Sequence, residues 1–282
     1  MVNRADTWRV KHTTMHTLTL LTRHAKQAAV QAPLERAGFQ VVTINDFDTD
    51  TLGSFTGETA RAGSQLDAAT TKAKMAAERS GSRYGLGSEG SFGPDPYVGL
   101  TPWGCELLVW WDAVDARSVF AVAQGPQTNY AQTTISRWED ARAFAVEAGF
   151  ESHGVIIGKP GVAGFSKECD SWPAFERQFY EALRGGPVWL ETDMRAHRNP
   201  TRMAMIGQCA AELSRKLQCL CPACNQQGFG METPLVGAVC QTCGTPTLAV
   251  RAKRVQCGVC NYIEEVVLQA TVPAARCEVC NP

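Results

Sequence analysis

The chain has 282 residues, 44% of them hydrophobic and 20% charged, and a formal net charge of −1. That length allows one substantial core plus a small accessory domain. The near-zero charge argues against a global field that draws the protein to nucleic acid or to an anionic membrane.

The N-terminus carries Arg4, Arg9 and Lys11 ahead of T-L-T-L-L, an apolar run too short for a signal peptide or a membrane span. Residues 1–16 read as a polar tail. From Thr17 the pattern alternates strand and helix. T-L-T-L-L-T-R is a strand, A-K-Q-A-A-V-Q-A-P-L-E-R-A-G a helix kinked or restarted at Pro33, and F-Q-V-V-T-I a second strand. Ser64 to Gly81 is the clearest helix: Ser64 and Asp67 have capping-box spacing, Leu66, Ala69, Ala73 and Ala76 share one side, and Gly81 suits the residue after the last turn. Strands are expected at Tyr84–Ser88, Glu106–Trp111 and Val119–Gln124. A helix runs from Ser136 and Glu139 to Gly149, followed by the short strand V-I-I-G. Another helix spans Ser171–Leu183, then the strand P-V-W-L-E-T. Asn199-Pro200 starts a last helix with Met203, Ile206, Ala210, Leu213 and Leu217 at core spacing. Alternation of this kind predicts an α/β fold over residues 17–218, a mixed sheet flanked by helices.

Residues 219–282 are of another kind. Cys221/Cys224, Cys240/Cys243, Cys257/Cys260 and Cys277/Cys280 form four Cys-x-x-Cys pairs, separated by 15, 13 and 16 residues. Such a turn holds two thiolates about 3.5–4 Å apart, so two turns complete a tetrahedron around Zn²⁺. Eight ligands make two closed, structural Cys₄ sites in a small double zinc-ribbon domain. Sequential, nested and crossed pairing all satisfy the spacing, and Cys219 is an alternative to Cys221. Zinc-spaced thiols without a secretory signal point to a reducing, cytoplasmic setting. The ribbon balances Arg251, Lys253, Arg254 and Arg276 against Glu232, Glu264, Glu265 and Glu278. Each Cys₄–zinc site adds about −2, which disfavours nucleic acid and favours a protein partner or a structural cap.

Four segments of the α/β part carry chemistry. D-F-D-T-D-T-L-G-S-F-T-G-E supplies Asp46, Asp48, Asp50 and Glu58, either oxygen ligands for Mg²⁺ or Mn²⁺ or an acidic surface turn. G-L-G-S-E-G-S-F-G-P places Glu89 at a strand end, where open α/β sheets bind ligands, among glycines that admit a close approach. E-T-D-M-R-A-H-R-N-P-T-R gathers Arg195, Arg198 and Arg202 at a helix start, either around a phosphate or in pairs with Glu191 and Asp193. T-R-H-A-K offers Thr22 and Lys26 at a helix N-terminus suited to a phosphate chain.

Three of these segments, D-F-D-T-D-T-L-G-S-F-T-G-E, S-E-G-S-F-G-P and R-N-P-T-R-M, resemble an uncharacterised bacterial family, domain of unknown function 6671, which carries no established activity. The order of strand, Thr/Lys turn, helix, acidic loop, A-T-T-K-A helix and acid-bearing strand also resembles the inosine triphosphate pyrophosphatase and Maf group. That likeness implies phosphate contacts at Thr22 and Lys26, and a metal ligand or base at Glu58 or Asp67 and at Glu89. His24 stands where that group often has Asn. Two functions follow as expectations. One is a metal-dependent phosphohydrolase of a nucleotide or similar phosphate ester. The other is a non-catalytic nucleotide- or anion-binding module whose ribbons contact a protein.

Overall fold

The computed structural model describes residues 14–45 and 63–282, so Asp46, Asp48, Asp50 and Glu58 lie outside the described residues. The described chain forms two compact units, one ending at Ser214 and the other running from Arg215 to Pro282.

The first unit begins with β1 (His16–Leu21), α1 (Gln27–Glu35) and β2 (Phe39–Ile44), then α2 (Gln65–Ser80), β3 (Tyr84–Pro94), β4 (Pro102–Asp112) and β5 (Arg117–Gly125). These strands make one mixed sheet in the order β2-β1-β3-β4-β5, parallel across β2, β1 and β3 and antiparallel from β3 to β5. α1 runs through Pro33 without a break. α2 starts on the expected capping box, with the Ser64 side chain accepting from the Asp67 N–H, and stops at Gly81 in a left-handed conformation (φ 65°). It buries Ala69, Ala73 and Ala76 as its spacing predicts, together with Lys72, whereas Leu66 is exposed.

α2 sits unusually close to the sheet. A Cβ on Gly85 would lie 1.9 Å from the Ala73 carbonyl oxygen, and one on Gly87 would lie 1.8 Å from that of Ala69. These glycines therefore admit a helix backbone, not a ligand as the sequence suggested. The expected strand end at Ser88 and Glu89 is also corrected. β3 continues to Pro94 because every residue from Tyr84 to Pro94 has a partner on β4. The reversal falls instead at Asp95, whose carboxylate accepts N–H bonds from Tyr97, Val98, Leu100 and Thr101 at 2.8–3.1 Å.

The remaining elements are β6 (Gln132–Ile135), α3 (Trp138–Ala148), β7 (Val155–Ile157), α4 (Trp172–Leu183), β8 (Val188–Thr192) and α5 (Pro200–Leu217). β6, β8 and β7 form a separate antiparallel sheet rather than extending the first. Ala141, Ala145, Val155, Ile157, Phe175, Phe179, Val188 and Leu190 make its core. The second unit contains β9 (Met231–Val236), β10 (Val239–Cys240), β11 (Val250–Gln256), β12 (Ile263–Val267) and β13 (Thr271–Val272). β12-β11-β9 is an antiparallel sheet and β10-β13 a short parallel pair. Among the described residues no helix is long and apolar enough to cross a membrane.

Candidate functional site

β1 is followed by β2 on one side and has β3 on the other, so the strand order reverses between β1 and β3. In open α/β sheets the crevice beyond the carboxyl ends of such strands is where ligands bind. Successive residues of a strand face opposite ways. Ser88 and Glu89 accordingly divide: Glu89 forms an ion pair with Lys72 on the α2 side, while Ser88 accepts a 3.1 Å hydrogen bond from Lys26 Nζ at the start of α1.

The Ser88 side holds a buried polar cluster. Glu106 stands opposite Gly90 on the neighbouring strand, and its Oε1 accepts from Arg202 Nε of α5 at 2.6 Å. A Cβ on Gly90 would lie 2.4 Å from Glu106 Oε1 and 2.8 Å from Arg202 Nη2, so glycine makes the room this pair needs. Arg202 also donates to the Met194 carbonyl, and its guanidinium lies 5.3 Å from the Phe92 ring centre. Asn199 fixes the start of α5: its Oδ1 accepts from the Arg202 N–H, and its Nδ2 donates to Asn129 Oδ1 and to the Asp193 carbonyl. Glu106 Oε2 is buried with no hydrogen-bond partner among the described residues. Burial, and then the Arg202 charge, push the Lys26 ammonium down to about 7, against weaker support from Glu106.

At the mouth, Thr22 Oγ1 accepts the His24 N–H at 3.2 Å, and Ala25 takes a left-handed conformation (φ 51°) that non-glycine residues adopt at a cost. The His24 ring stacks on His197 with centroids 5.1 Å apart, and burial lowers the His197 pKa. An open cleft of about 610 Å³ adjoins this turn, lined by Thr22, Arg23, Gln27, Thr43 and Asn45.

The three arginines at the start of α5 do not share one site: Arg195 and Arg198 both flank Asp193, at 2.8 and 4.0 Å, while Arg202 pairs with Glu106. Arg195 grips the buried Asp193 carboxylate through Nε and Nη2 at 2.8–3.1 Å and reaches Glu168 at 3.0 Å. Arg198 pairs with Asp170 at 2.7 Å and donates to the Cys169 carbonyl. Only Arg202 enters the cluster. Asn199 stands where the sequence places the start of α5, whereas Ser88 and Glu106 are not among the site residues the sequence marks. Glu106 had a readable signal, a single acid inside the apolar run C-E-L-L-V-W-W. Its partner lies 96 positions away, which local spacing does not reveal.

In the second unit the thiols form two tetrads, Cys221/Cys224/Cys257/Cys260 and Cys240/Cys243/Cys277/Cys280, with sulfur atoms within 4.8 Å of one another. Pairing is thus crossed, first with third and second with fourth. Across each site the closest sulfurs are 3.6–3.8 Å apart, the spacing of a tetrahedral thiolate set. Backbone N–H groups of Thr242 and Val259 point at Cys240 and Cys257 at 3.4 Å, as donors that stabilise thiolates. Cys219 is not a ligand; its Sγ donates to the Arg215 carbonyl. The donor set fits two structural Zn²⁺ ions. Among the described residues no other three His, Cys, Asp or Glu side chains gather closely enough to hold a metal.

The chain belongs to the family described as a domain of unknown function (DUF6671), whose model matches residues 72–282. No curated protein and no solved structure matches it, and the likeness to the inosine triphosphate pyrophosphatase and Maf group gains no support. The matched span takes in Glu106, Arg202 and both tetrads and leaves out β1, α1 and Lys26.

Proposed function

We propose that the α/β unit binds a small phosphorylated ligand at the β1/β3 crevice, and that the acidic segment carrying Asp48, Asp50 and Glu58 makes this site a metal-dependent phosphohydrolase. Lys26 carries the reading. It is a buried ammonium at a helix start, beside a second buried cation, Arg202, with Glu106 as the nearby counter-charge. An anion bound there would supply the missing negative charge and restore the proton to Lys26. Thr22 offers a hydroxyl at the same turn. The chain leaves β2 at Ile44 and re-enters at Gly63 before α2, and both points lie at the carboxyl end of the parallel strands. Asp48, Asp50 and Glu58 lie between them in sequence and would hold Mg²⁺ or Mn²⁺, which screens phosphoryl charge and orients a water when bound. In this reading Glu89 anchors α2 through Lys72, and Arg195 and Arg198 brace the segment before α5.

The alternative is a non-catalytic module in which the same crevice holds a nucleotide or anion through Lys26. The test is phosphate and pyrophosphate release from normal and modified nucleotides with Mg²⁺ or Mn²⁺, run beside Lys26→Met. Metal-dependent release lost in the variant supports the hydrolase. Silence from zinc-loaded, folded protein that still binds pyrophosphate through Lys26 supports the binding module. Absence of both defeats the proposal.

A further inference from the structure

A second cleft, of about 350 Å³, opens on the face of the β6-β8-β7 sheet. That volume falls at the lower end of the roughly 300–1,000 Å³ usual for small-molecule sites. Alternation along β8 explains the lining. Val188, Leu190 and Thr192 are buried, while Trp189 and Glu191 point into the cleft. Glu191 stands opposite Gln132 on β6 and Ile156 on β7, so a carboxylate and an amide lie side by side with an aliphatic side chain next to them. Phe92, Tyr130 and Phe165 complete the walls.

Glu191 is the unusual group. Two residues later, Asp193 is held by Arg195. Among the described residues Glu191 has no ion pair, and its hydrogen bond from Trp189 Nε1 is a long one of 3.4 Å. Burial raises its pKa, as expected of a carboxyl group short of donors. The Lys159 ammonium lies over the Trp189 ring, 4.2 Å from its centre. A ring stacked on that face would take the place of the ammonium, whose charge also disfavours a second cation as the ligand.

We propose that this cleft binds a planar nitrogen heterocycle, stacked on Trp189 and donating adjacent N–H bonds to Glu191. Guanine is the nucleobase that presents an imino and an amino N–H on one edge, matching the two oxygens of a carboxylate. Gln132 supplies a donor or acceptor beside them. The cleft borders the buried cluster through Phe92, which carries the Arg202 guanidinium on its ring, and through Met194, whose carbonyl accepts from Arg202. The ligand class is then a guanine-type nucleotide; only its phosphate end rests on the function proposed above.

Calorimetric titration of the full chain with guanosine, inosine, adenosine and choline tests the cleft without phosphate. Guanosine should bind most tightly, inosine more weakly and adenosine weakest. Glu191→Gln and Trp189→Ala should each lower guanosine affinity on the order of tenfold or more, with Trp189→Phe retaining most of it. Equal binding of adenosine and guanosine, preference for choline, no nucleoside binding, or an unaffected Glu191→Gln variant would overturn the assignment. Pyrophosphate titration against Lys26→Met runs alongside, so loss of the phosphate reading alone leaves nucleoside binding intact.

Discussion

At the residue scale the cluster is a buried ion pair with a buried lysine beside it, and both have measurable consequences. Glu106→Gln leaves Arg202 charged in a fully buried site, which should cost about 3–5 kcal/mol in denaturant unfolding. Replacing both partners, Glu106→Leu with Arg202→Met, should recover much of that loss, since apolar isosteres of buried pairs are often tolerated. If the single variant is as stable as the parent, the pair does not hold α5 against β4. Lys26 behaves differently. Its folded pKa lies near 7 against 10.5 in the unfolded chain, so the unfolded state holds more protons between those values. Stability should rise with pH across that window, and the burial cost should be fully present below pH 7. An anion prefers the protonated lysine, so its affinity should fall as pH rises through 7, with proton uptake on binding at pH 8. Calorimetry in buffers of different ionisation heat reads that uptake. A flat affinity profile, or one unchanged in Lys26→Met, would remove the lysine from the site.

At the scale of elements, the contact of α2 with β3 sets the position of Glu89 and Ser88 on their two faces. Gly87→Ala places a methyl against the Ala69 carbonyl, so the helix must lift or the strand must shift. The cost should reach about 3 kcal/mol, the upper part of the overpacking range, seen as a lowered unfolding midpoint. An unchanged midpoint would mean that the backbone relaxes easily. The same contact shows what local pattern conveys. The α2 capping box and Gly81 were legible because a helix end is specified within four residues. The extension of β3 past Ser88 was not, because Gly and Ser weaken a strand signal and their reason lies on a helix facing them. β6, four residues long and half exposed, carried too little alternation to be found. The crevice between β1 and β3 follows from strand order, which no single segment encodes.

At the scale of the whole molecule, the thiol tetrads show how topology decides what spacing leaves open. The four Cys-x-x-Cys pairs are nearly equidistant, so sequence alone admitted three pairings. Antiparallel pairing of β9 with β11 sets Met231 opposite Gln256, the neighbour of Cys257. The hairpin thereby closes the first pair against the third and leaves the second inside its loop, to meet the fourth. A residue type also recurs: each pair is followed by Asn or Gly, and Asn225, Gly244 and Asn261 take positive φ, which lets the chain turn back at the metal. Because the pairing is crossed, each site closes a loop that contains one half of the other. β11 joins the second pair to the third and so ties the two sites together. Metal binding here is folding free energy, so the sites should empty together. Metal analysis of the parent should give about two zinc ions per chain, as the two tetrads require. Cys257→Ser should fall well below one, with loss of far-ultraviolet strand signal, rather than stopping at one. A variant that keeps one full equivalent of zinc would show that each site folds without the other.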